Sequence, residues 1–173
     1  ETSISLAAYD LDLSSVADAL IDAHQRGVEV RIVVETNNAE EEAISDLRQA
    51  GIPLIEDRRA SGLMHNKCVV IDRVWVWTGS WNMTENGTYR NNNTSVLIAS
   101  PALAENYVAE FEEMFEGTFG PTSPADTPNP RISIIVELGD GEKSVEIENY
   151  FAPEDKAAAH IIAEVSSAQS RIR

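Results

Sequence analysis

The pattern of the first 57 residues limits the possible folds more than any other feature of the chain. Apolar residues recur there with period two and then with helical spacing, and the two patterns alternate. The predicted elements are, in order, strand 2–9, helix 12–27, strand 28–35, helix 38–51 with Asn38 as its cap, and strand 52–57. Strands separated by helices favour parallel pairing, with the helices on the faces of the sheet. We therefore expect an α/β fold with a mixed, mostly parallel sheet flanked by helices on both faces.

The rest of the sequence divides the chain into three parts. The further predicted elements are strands 67–72, 74–78 and 94–100, helix 101–117, two strands within 131–151 joined by a Gly-Asp-Gly turn, and helix 153–170. Four prolines within residues 117–130 predict a linker without regular structure. We therefore predict a domain at 1–116, a linker at 117–130 and a tail at 131–173.

The distribution of charge limits the kinds of partner. Thirteen basic and 29 acidic residues give the chain a formal net charge of −16. Such a surface repels polyanions, which disfavours a protein that coats nucleic acid. Residues 58–90 are the exception, because five basic and two acidic side chains give them a net charge of +3. We therefore expect an anionic ligand to bind within residues 58–90.

Polar side chains interrupt the apolar strands of this positive region. His65 and Lys67 are two residues apart, so an extended backbone points both side chains to the same face. Ser80 and Asn82 share a face in the same way, after the next predicted strand. Gly79 precedes them and would allow another backbone segment to approach closely. The spacing therefore predicts two pairs of polar side chains that converge on one pocket.

These polar side chains form a set suited to binding phosphate. A neutral imidazole can attack phosphorus, while an ammonium, a hydroxyl and a carboxamide donate hydrogen bonds to the non-bridging oxygens as their charge changes. Such a reaction requires no metal ion and no organic cofactor. Average residue usage makes a chance occurrence of the set at these spacings rare.

The complete motif reads H-x-K-x4-D-x6-G-S-x-N, from His65 to Asn82. It resembles the HKD signature of the phospholipase D superfamily. The resemblance implies an α/β phosphodiesterase or phosphatidyl transferase in which two HKD motifs meet at one active site. It makes His65, Lys67 and Asp72 the predicted catalytic residues, with His65 as the nucleophile that forms a phosphohistidine or as the acid that protonates the leaving group. Lys67, Ser80 and Asn82 would bind the phosphate oxygens.

Two other positions of the motif are predicted to support the site. Asp72 lies an odd number of residues after Lys67, so a regular strand would turn it away from Lys67 and make it orient the scaffold. Many family members place a glutamate fourteen residues after the motif glycine to hold the histidine, and Asn93 occupies that position after Gly79. The carbonyl of Asn93 can accept the same proton, but it supplies no charge to stabilise an imidazolium.

The sequence contains a single HKD motif. Residues 4–120 resemble the first repeat of bacterial members with two motifs, from its second strand onward, so we expect the domain at 1–116 to lack the opening strand and helix. The tail resembles the opening of a second repeat. We expect it to complete the sheet, within its own chain or by exchange of a segment with another. The second HKD half would come from the rest of a longer chain or from a homodimer partner.

Three functions remain open. The acidic surface favours a phospholipid or another small phosphodiester as the substrate. A metal-independent nuclease of the same superfamily is the alternative, because a local positive pocket can bind single-stranded DNA. A half-domain that binds phosphate or assembles with a partner, without hydrolysis, is the third.

The sequence gives few indications of localisation. No apolar run approaches the length of a membrane span, and the first residues lack the pattern of a signal peptide. A single cysteine, Cys68, excludes an intrachain disulfide and is expected to be a buried apolar side chain. The family resemblance slightly favours a secreted or cell-envelope bacterial protein.

Overall fold

The computed structural model describes residues 2–139 and 141–172. Its elements are β1 Ser3–Ala8, α1 Ser14–Gln25, β2 Glu29–Val34, α2 Glu42–Gln49, β3 Leu54–Glu56, β4 Lys67–Ile71, β5 Trp75–Gly79, α3 Glu85–Tyr89, β6 Ser95–Ala99, α4 Pro101–Phe115, β7 Arg131–Leu138, β8 Gly141–Glu148 and α5 Ala157–Ser167. The predicted alternation of strands and helices is confirmed. The second helix begins later than predicted, because residues 36–38 form a short 3-10 turn before it.

Strands β1 to β6 form one mixed sheet in the order β3-β2-β1-β4-β5-β6. The β1–β2 and β2–β3 pairings are parallel, as expected for strands joined by helices. The β1–β4, β4–β5 and β5–β6 pairings are antiparallel. The mixed α/β sheet is thus confirmed, but parallel pairing predominates only among the first three strands. The physical reason is clearest at β4 and β5, since the three residues between them are too few for a parallel crossover.

Helices cover both faces of this sheet, as predicted. Helices α1 and α2 pack on one face, where Leu6, Ile32 and Leu47 belong to one buried cluster. Helix α4 covers the other face, where Phe111 and Val33 belong to a second cluster. Adjacent residues of β2 therefore point into opposite cores, which is the expected geometry of a central strand. Within the described residues, no helix has the length and apolar character needed to cross a membrane.

The tail strands form a sheet of their own. β7 and β8 pair with each other over their full lengths and, in the described part of the chain, with no strand of the larger sheet. Ile132 of β7 is buried in a cluster with Leu103 of α4. The tail therefore differs from the expectation that it completes the sheet within its own chain, because side-chain packing rather than backbone pairing holds β7. The predicted Gly-Asp-Gly turn includes Asp140, which lies outside the described residues.

A buried asparagine fastens the predicted linker and the tail to α4. Asn106 is fully buried. Its Nδ2 donates to the carbonyl of Asn129 and to Oδ1 of Asn149, and its Oδ1 accepts from the backbone N–H of Asn129. A buried amide requires such partners to offset its desolvation. Residues 117–130 contain a short 3-10 turn at Gly120–Thr122 among irregular backbone.

Asp72 holds the beginning of β1. It lies in the turn between β4 and β5 with a φ of 55°. Its Oδ1 accepts hydrogen bonds from the backbone N–H groups of Thr2 and Ser3 and from the hydroxyl of Thr2. The backbone donors of Thr2 and Ser3 hold the pKa of this carboxyl below its ordinary value. Asp72 therefore supports the pairing of β1 with β4.

We expect Asp72→Asn to lower the thermal unfolding temperature at neutral pH, because the charged acceptor for these N–H groups is lost. A depressed folded-state pKa contributes stability above the ordinary aspartate pKa, and this contribution disappears as the pH falls through the lowered value. The difference between wild type and Asp72→Asn should therefore narrow in acid. Thermal unfolding followed by circular dichroism at several pH values measures this. Asp18→Asn, on the exposed side of α1, is the matched control, and equal behaviour of the two variants would contradict the role of Asp72.

Candidate active site

The polar residues of the motif lie at one edge of the sheet, where β1, β2 and β5 end and β4 begins. Ligands of α/β proteins commonly bind at the carboxyl ends of strands. The register pairs Lys67 with Ala8, so the first residue of β4 lies beside the last residue of β1. The backbone N–H of Tyr9 donates to the carbonyl of Asn66 at 2.9 Å and extends this pairing beyond the strands.

His65 and Lys67 both contact the ring of Tyr9. The His65 and Tyr9 ring centroids are 4.5 Å apart in an edge-on arrangement. The Lys67 Nζ lies 4.7 Å from the centroid of the same ring, within the range of a cation–π interaction. This Nζ also donates to the carbonyl of His65 at 2.9 Å. The shared contact agrees with the predicted common face, although His65 precedes the first residue of β4.

The surroundings of His65 favour its neutral form. Partial burial and the Lys67 ammonium lower the pKa of His65, while the carboxylate of Glu35 opposes them. Burial also lowers the pKa of Lys67, and Asp10 opposes this effect. A lowered imidazole pKa increases the fraction of neutral ring at neutral pH, and the neutral ring is the nucleophilic form. The site therefore combines an imidazole that favours its neutral form with an adjacent cation.

The second half of the motif lies where β5 and β6 meet. The Ser80 N–H donates to the Thr94 carbonyl at 2.9 Å, and the Ser80 Oγ accepts from the Thr94 N–H at 3.0 Å. The Ser80 hydroxyl donates to Oδ1 of Asn93 at 3.1 Å. A Cβ at Gly79 would lie 2.1 Å from the Thr94 carbonyl oxygen, so the close backbone approach requires glycine. Asn93 thus positions Ser80 and not, as its place in the motif suggested, the ring of His65.

Asn82 lies on a loop that is tied to the end of β1. The N–H of the next residue, Met83, donates to the carbonyl of Asp10 at 3.2 Å, and Met83 forms a parallel bridge with Leu11. The Oδ1 of Asn82 is buried and has no hydrogen-bond partner among the described residues. Asn82 therefore lies at the motif edge of the sheet, on the loop that follows β5.

Two predicted residues lie away from the pocket. Asp72 follows β4 at the opposite edge of the sheet, about 16 Å from Lys67 along an extended strand. The resemblance implied a catalytic role for Asp72, whereas its position in the strand predicted a scaffold role. The contacts of Asp72 with Thr2 and Ser3 are those of a scaffold residue. Cys68 is buried, and burial raises the pKa of its thiol to about 12. Cys68 is therefore a core side chain.

Three residues near the site were not predicted from the sequence: Tyr9, Asp10 and Glu35. Tyr9 and Asp10 follow β1, and Glu35 follows β2. Their sequence signal is their place directly after predicted parallel strands, since the carboxyl ends of such strands share an edge. Glu35 is buried with 2% exposure, and its Oε2 accepts the N–H of Met64 at 2.6 Å.

The arrangement suits the binding of a phosphodiester. An exposed imidazole, an ammonium, a hydroxyl and a carboxamide lie at one edge of the sheet. Across the described ranges, no group of three or more His, Cys, Asp or Glu side chains is arranged to hold a metal ion. Groups of these kinds can attack phosphorus and donate hydrogen bonds to phosphate oxygens.

The sequence matches a family and several curated proteins. Residues 1–115 match the family model for the cardiolipin synthase PLD-like domain. Phospholipase D of Rickettsia prowazekii (strain Madrid E) is 38% identical over 110 residues, which cover 62% of this chain and 53% of that protein. Mitochondrial cardiolipin hydrolase of Xenopus tropicalis is 31% identical over 118 residues, covering 67% and 56%. The chain thus spans about half the length of the curated relatives that it matches.

The fold also matches solved structures. The phospholipase D family member Nuc from Salmonella typhimurium aligns with a TM-score of 0.63 and 30% identity, over 67% of this chain and 79% of that chain. NucT from Helicobacter pylori aligns with a TM-score of 0.58 and 19% identity, which supports the fold alone. Since the family model covers residues 1–115 of 173, well over half of the sequence, the chain belongs to the phospholipase D superfamily.

Proposed function

We propose that this domain is one half of a phosphodiesterase that acts through a covalent phosphohistidine. The observation that carries the proposal is the exposed imidazole of His65, held on Tyr9 beside the Lys67 ammonium with its pKa lowered. Neutral His65 attacks phosphorus while the bond to the leaving oxygen breaks and an acid protonates that oxygen. Water or an alcohol then attacks the phosphohistidine, breaks the P–N bond and releases the product. Metal ions and organic cofactors are not required for either step.

Lys67, Ser80 and Asn82 are the proposed phosphate ligands. Lys67 carries the positive charge, and Ser80 and Asn82 approach from the loop after β5. Hydrogen-bond donors placed where negative charge develops usually supply the largest single part of catalysis. Gly79 and Asn93 support the site, because Gly79 permits the close approach of Thr94 and Asn93 holds the hydroxyl of Ser80.

The reaction needs a second histidine, and we propose that it comes from a second HKD half. His65 cannot attack phosphorus and protonate the leaving oxygen in the same step. His24 lies near the end of α1, and His160 lies on α5 stacked against Tyr150 with ring centroids 3.7 Å apart. Both lie on helices, outside the strands and loops that carry the motif. The second half would be supplied by a homodimer partner or by another part of a longer chain, with exchange of the tail as one route to assembly.

Phospholipids are the favoured substrate class. The matched relatives are named phospholipase D and mitochondrial cardiolipin hydrolase. The net charge of −16 opposes long contacts with a polyanion, whereas the positive region at residues 58–90 is large enough for one phosphodiester. A nuclease is the alternative that the same positive region supports.

We expect His65→Asn to reduce the turnover of bis(p-nitrophenyl) phosphate by at least about 100-fold, because the nucleophile is removed. His24→Asn should retain wild-type turnover, since His24 lies outside the site. Release of p-nitrophenol measures both. Wild type and His65→Asn that are folded and equally inert would support the non-catalytic alternative, a half-domain that binds phosphate or assembles with a partner.

A homodimer that shares one site between two His65 side chains has a distinctive response to mixing. If both histidines are needed, the activity of exchanged mixtures of wild type and His65→Asn should follow the square of the wild-type fraction, so an equal mixture retains about one quarter. Light scattering should show a dimer under the same conditions. Activity proportional to the wild-type fraction would contradict a shared site.

The two substrate classes differ in their dependence on salt. We expect hydrolysis of phosphatidylcholine vesicles, whose surface carries no net charge, and no binding of labelled single-stranded DNA even at low ionic strength, because the surface of the protein is acidic. DNA binding measured by fluorescence anisotropy, with an affinity that falls steeply as salt rises, would instead support the nuclease.

A further inference from the structure

Glu35 is a buried carboxylate beside the proposed active site. It follows the last residue of β2 and is 2% exposed. Within residues 2–139 and 141–172, no lysine or arginine forms an ion pair with it. Both oxygens instead accept hydrogen bonds from neutral N–H donors, Oε2 from the backbone of Met64 at 2.6 Å and Oε1 from Nδ2 of Asn37 at 2.8 Å. Burial of a charge is costly unless the charge is paired and hydrogen-bonded, so these two bonds offset only part of the cost.

The contact with Met64 fixes the backbone from which His65 extends. The Met64 side chain is 3% exposed and packs in the core cluster beneath α4 with Phe111 and Met114. Its N–H is held by Glu35 on the other side. Met64 is thus anchored through both its side chain and its backbone, and the next residue is His65. The direction of the His65 side chain therefore depends on Glu35.

The charge of Glu35 also acts on the imidazole. The groups that face His65 are the Lys67 ammonium from β4, the Tyr9 ring from the end of β1 and the Glu35 carboxylate from the end of β2. Lys67 lowers the pKa of His65 and Glu35 raises it. Asp10 acts on the neighbouring Lys67 and opposes the lowering of its pKa. Glu35 is therefore the negative group that balances Lys67 at the imidazole.

Asn93 does not supply a negative charge to the imidazole of His65. It occupies the position at which many family members have a glutamate, but it is neutral and its Oδ1 accepts the hydroxyl of Ser80 at 3.1 Å. An imidazole that attacks phosphorus gains positive charge, and a nearby carboxylate stabilises that charge. In this chain the carboxylate nearest in effect to the imidazole is that of Glu35, which follows β2.

We propose that Glu35 is a positioning residue for His65: its buried carboxylate fixes the Met64 backbone and supplies the negative charge at the imidazole that Asn93 does not supply. The catalytic consequence rests on the proposed function. The position and the protonation of His65 can both be measured without any substrate.

The test is a nuclear magnetic resonance titration of the three histidines in the full chain. Glu35→Gln removes the charge but keeps an oxygen that can accept the Met64 N–H, and a half-turn of the Asn37 amide satisfies the new N–H group. We expect Glu35→Gln to lower the pKa of His65 by more than any change at His24 or His160, which serve as internal references. Glu40→Gln, an exposed neighbour, is the matched control and should leave His65 unchanged.

Glu35→Ala tests the positioning role separately. Hydrogen exchange at the Met64 amide should be slow in wild type and Glu35→Gln, and at least about tenfold faster in Glu35→Ala, because the acceptor is lost. An unchanged His65 titration in Glu35→Gln would overturn the charge role. Unchanged hydrogen exchange at Met64 in Glu35→Ala would overturn the positioning role. If Glu35→Ala does not fold, the His65 titration in Glu35→Gln still tests the charge role. Neither measurement uses turnover, so an inert enzyme with a shifted His65 titration would count against the proposed function alone.

Discussion

The antiparallel pairing of β1 with β4 holds the site together. β1 pairs in parallel with β2 on one side and antiparallel with β4 on the other, so the pairing changes at this strand. Because β4 runs in the opposite direction, its beginning lies at the edge where β1 and β2 end. His65 and Lys67 can therefore contact Tyr9, which is distant in sequence. The hydrogen bond from Tyr9 to Asn66 and the contacts of Asp72 hold the two ends of this pairing.

Strand geometry explains which parts of the site the sequence predicts. Two-residue spacing sets a common face for His65 and Lys67. It holds before β4 begins because the hydrogen bond from Tyr9 to Asn66 extends the pairing of β1 with β4 to residue 66. The same pattern does not predict Tyr9 or Glu35, because their approach to His65 depends on the order of strands in the sheet. Asn38 shows the same limit: it was predicted to cap a helix, but its Nδ2 donates to the Tyr9 carbonyl at 2.6 Å. The side chain of Asn38 therefore bonds to a residue distant in sequence and not to the helix that follows it.

In the tail too, the sequence predicts some features of the structure and not others. Alternating apolar residues predict both β7 and β8, and the structure contains both. The pattern does not specify which strand each will pair with, because any extended segment offers the same backbone groups. Burial decides the outcome, since Ile132 packs with Leu103 and Asn106 binds the backbone of Asn129. Local patterns thus predict the elements, and the surface of α4 determines where they lie.

The resting hydrogen bonds of the site indicate how it can receive an anion. Lys67 donates to the carbonyl of His65, and Ser80 donates to Asn93. The bond between Ser80 and Asn93 is neutral and contributes about 0.5–1.5 kcal/mol, whereas a bond that includes a charged group contributes about 1.5–3 kcal/mol. An anionic phosphate oxygen offers Ser80 a charged acceptor and offers the Lys67 ammonium an opposite charge in place of a neutral carbonyl, so it can displace both bonds. A glutamate at the position of Asn93 would offer the Ser80 hydroxyl a charged acceptor and bind it more strongly, so the neutral Asn93 favours release of Ser80 to an anion.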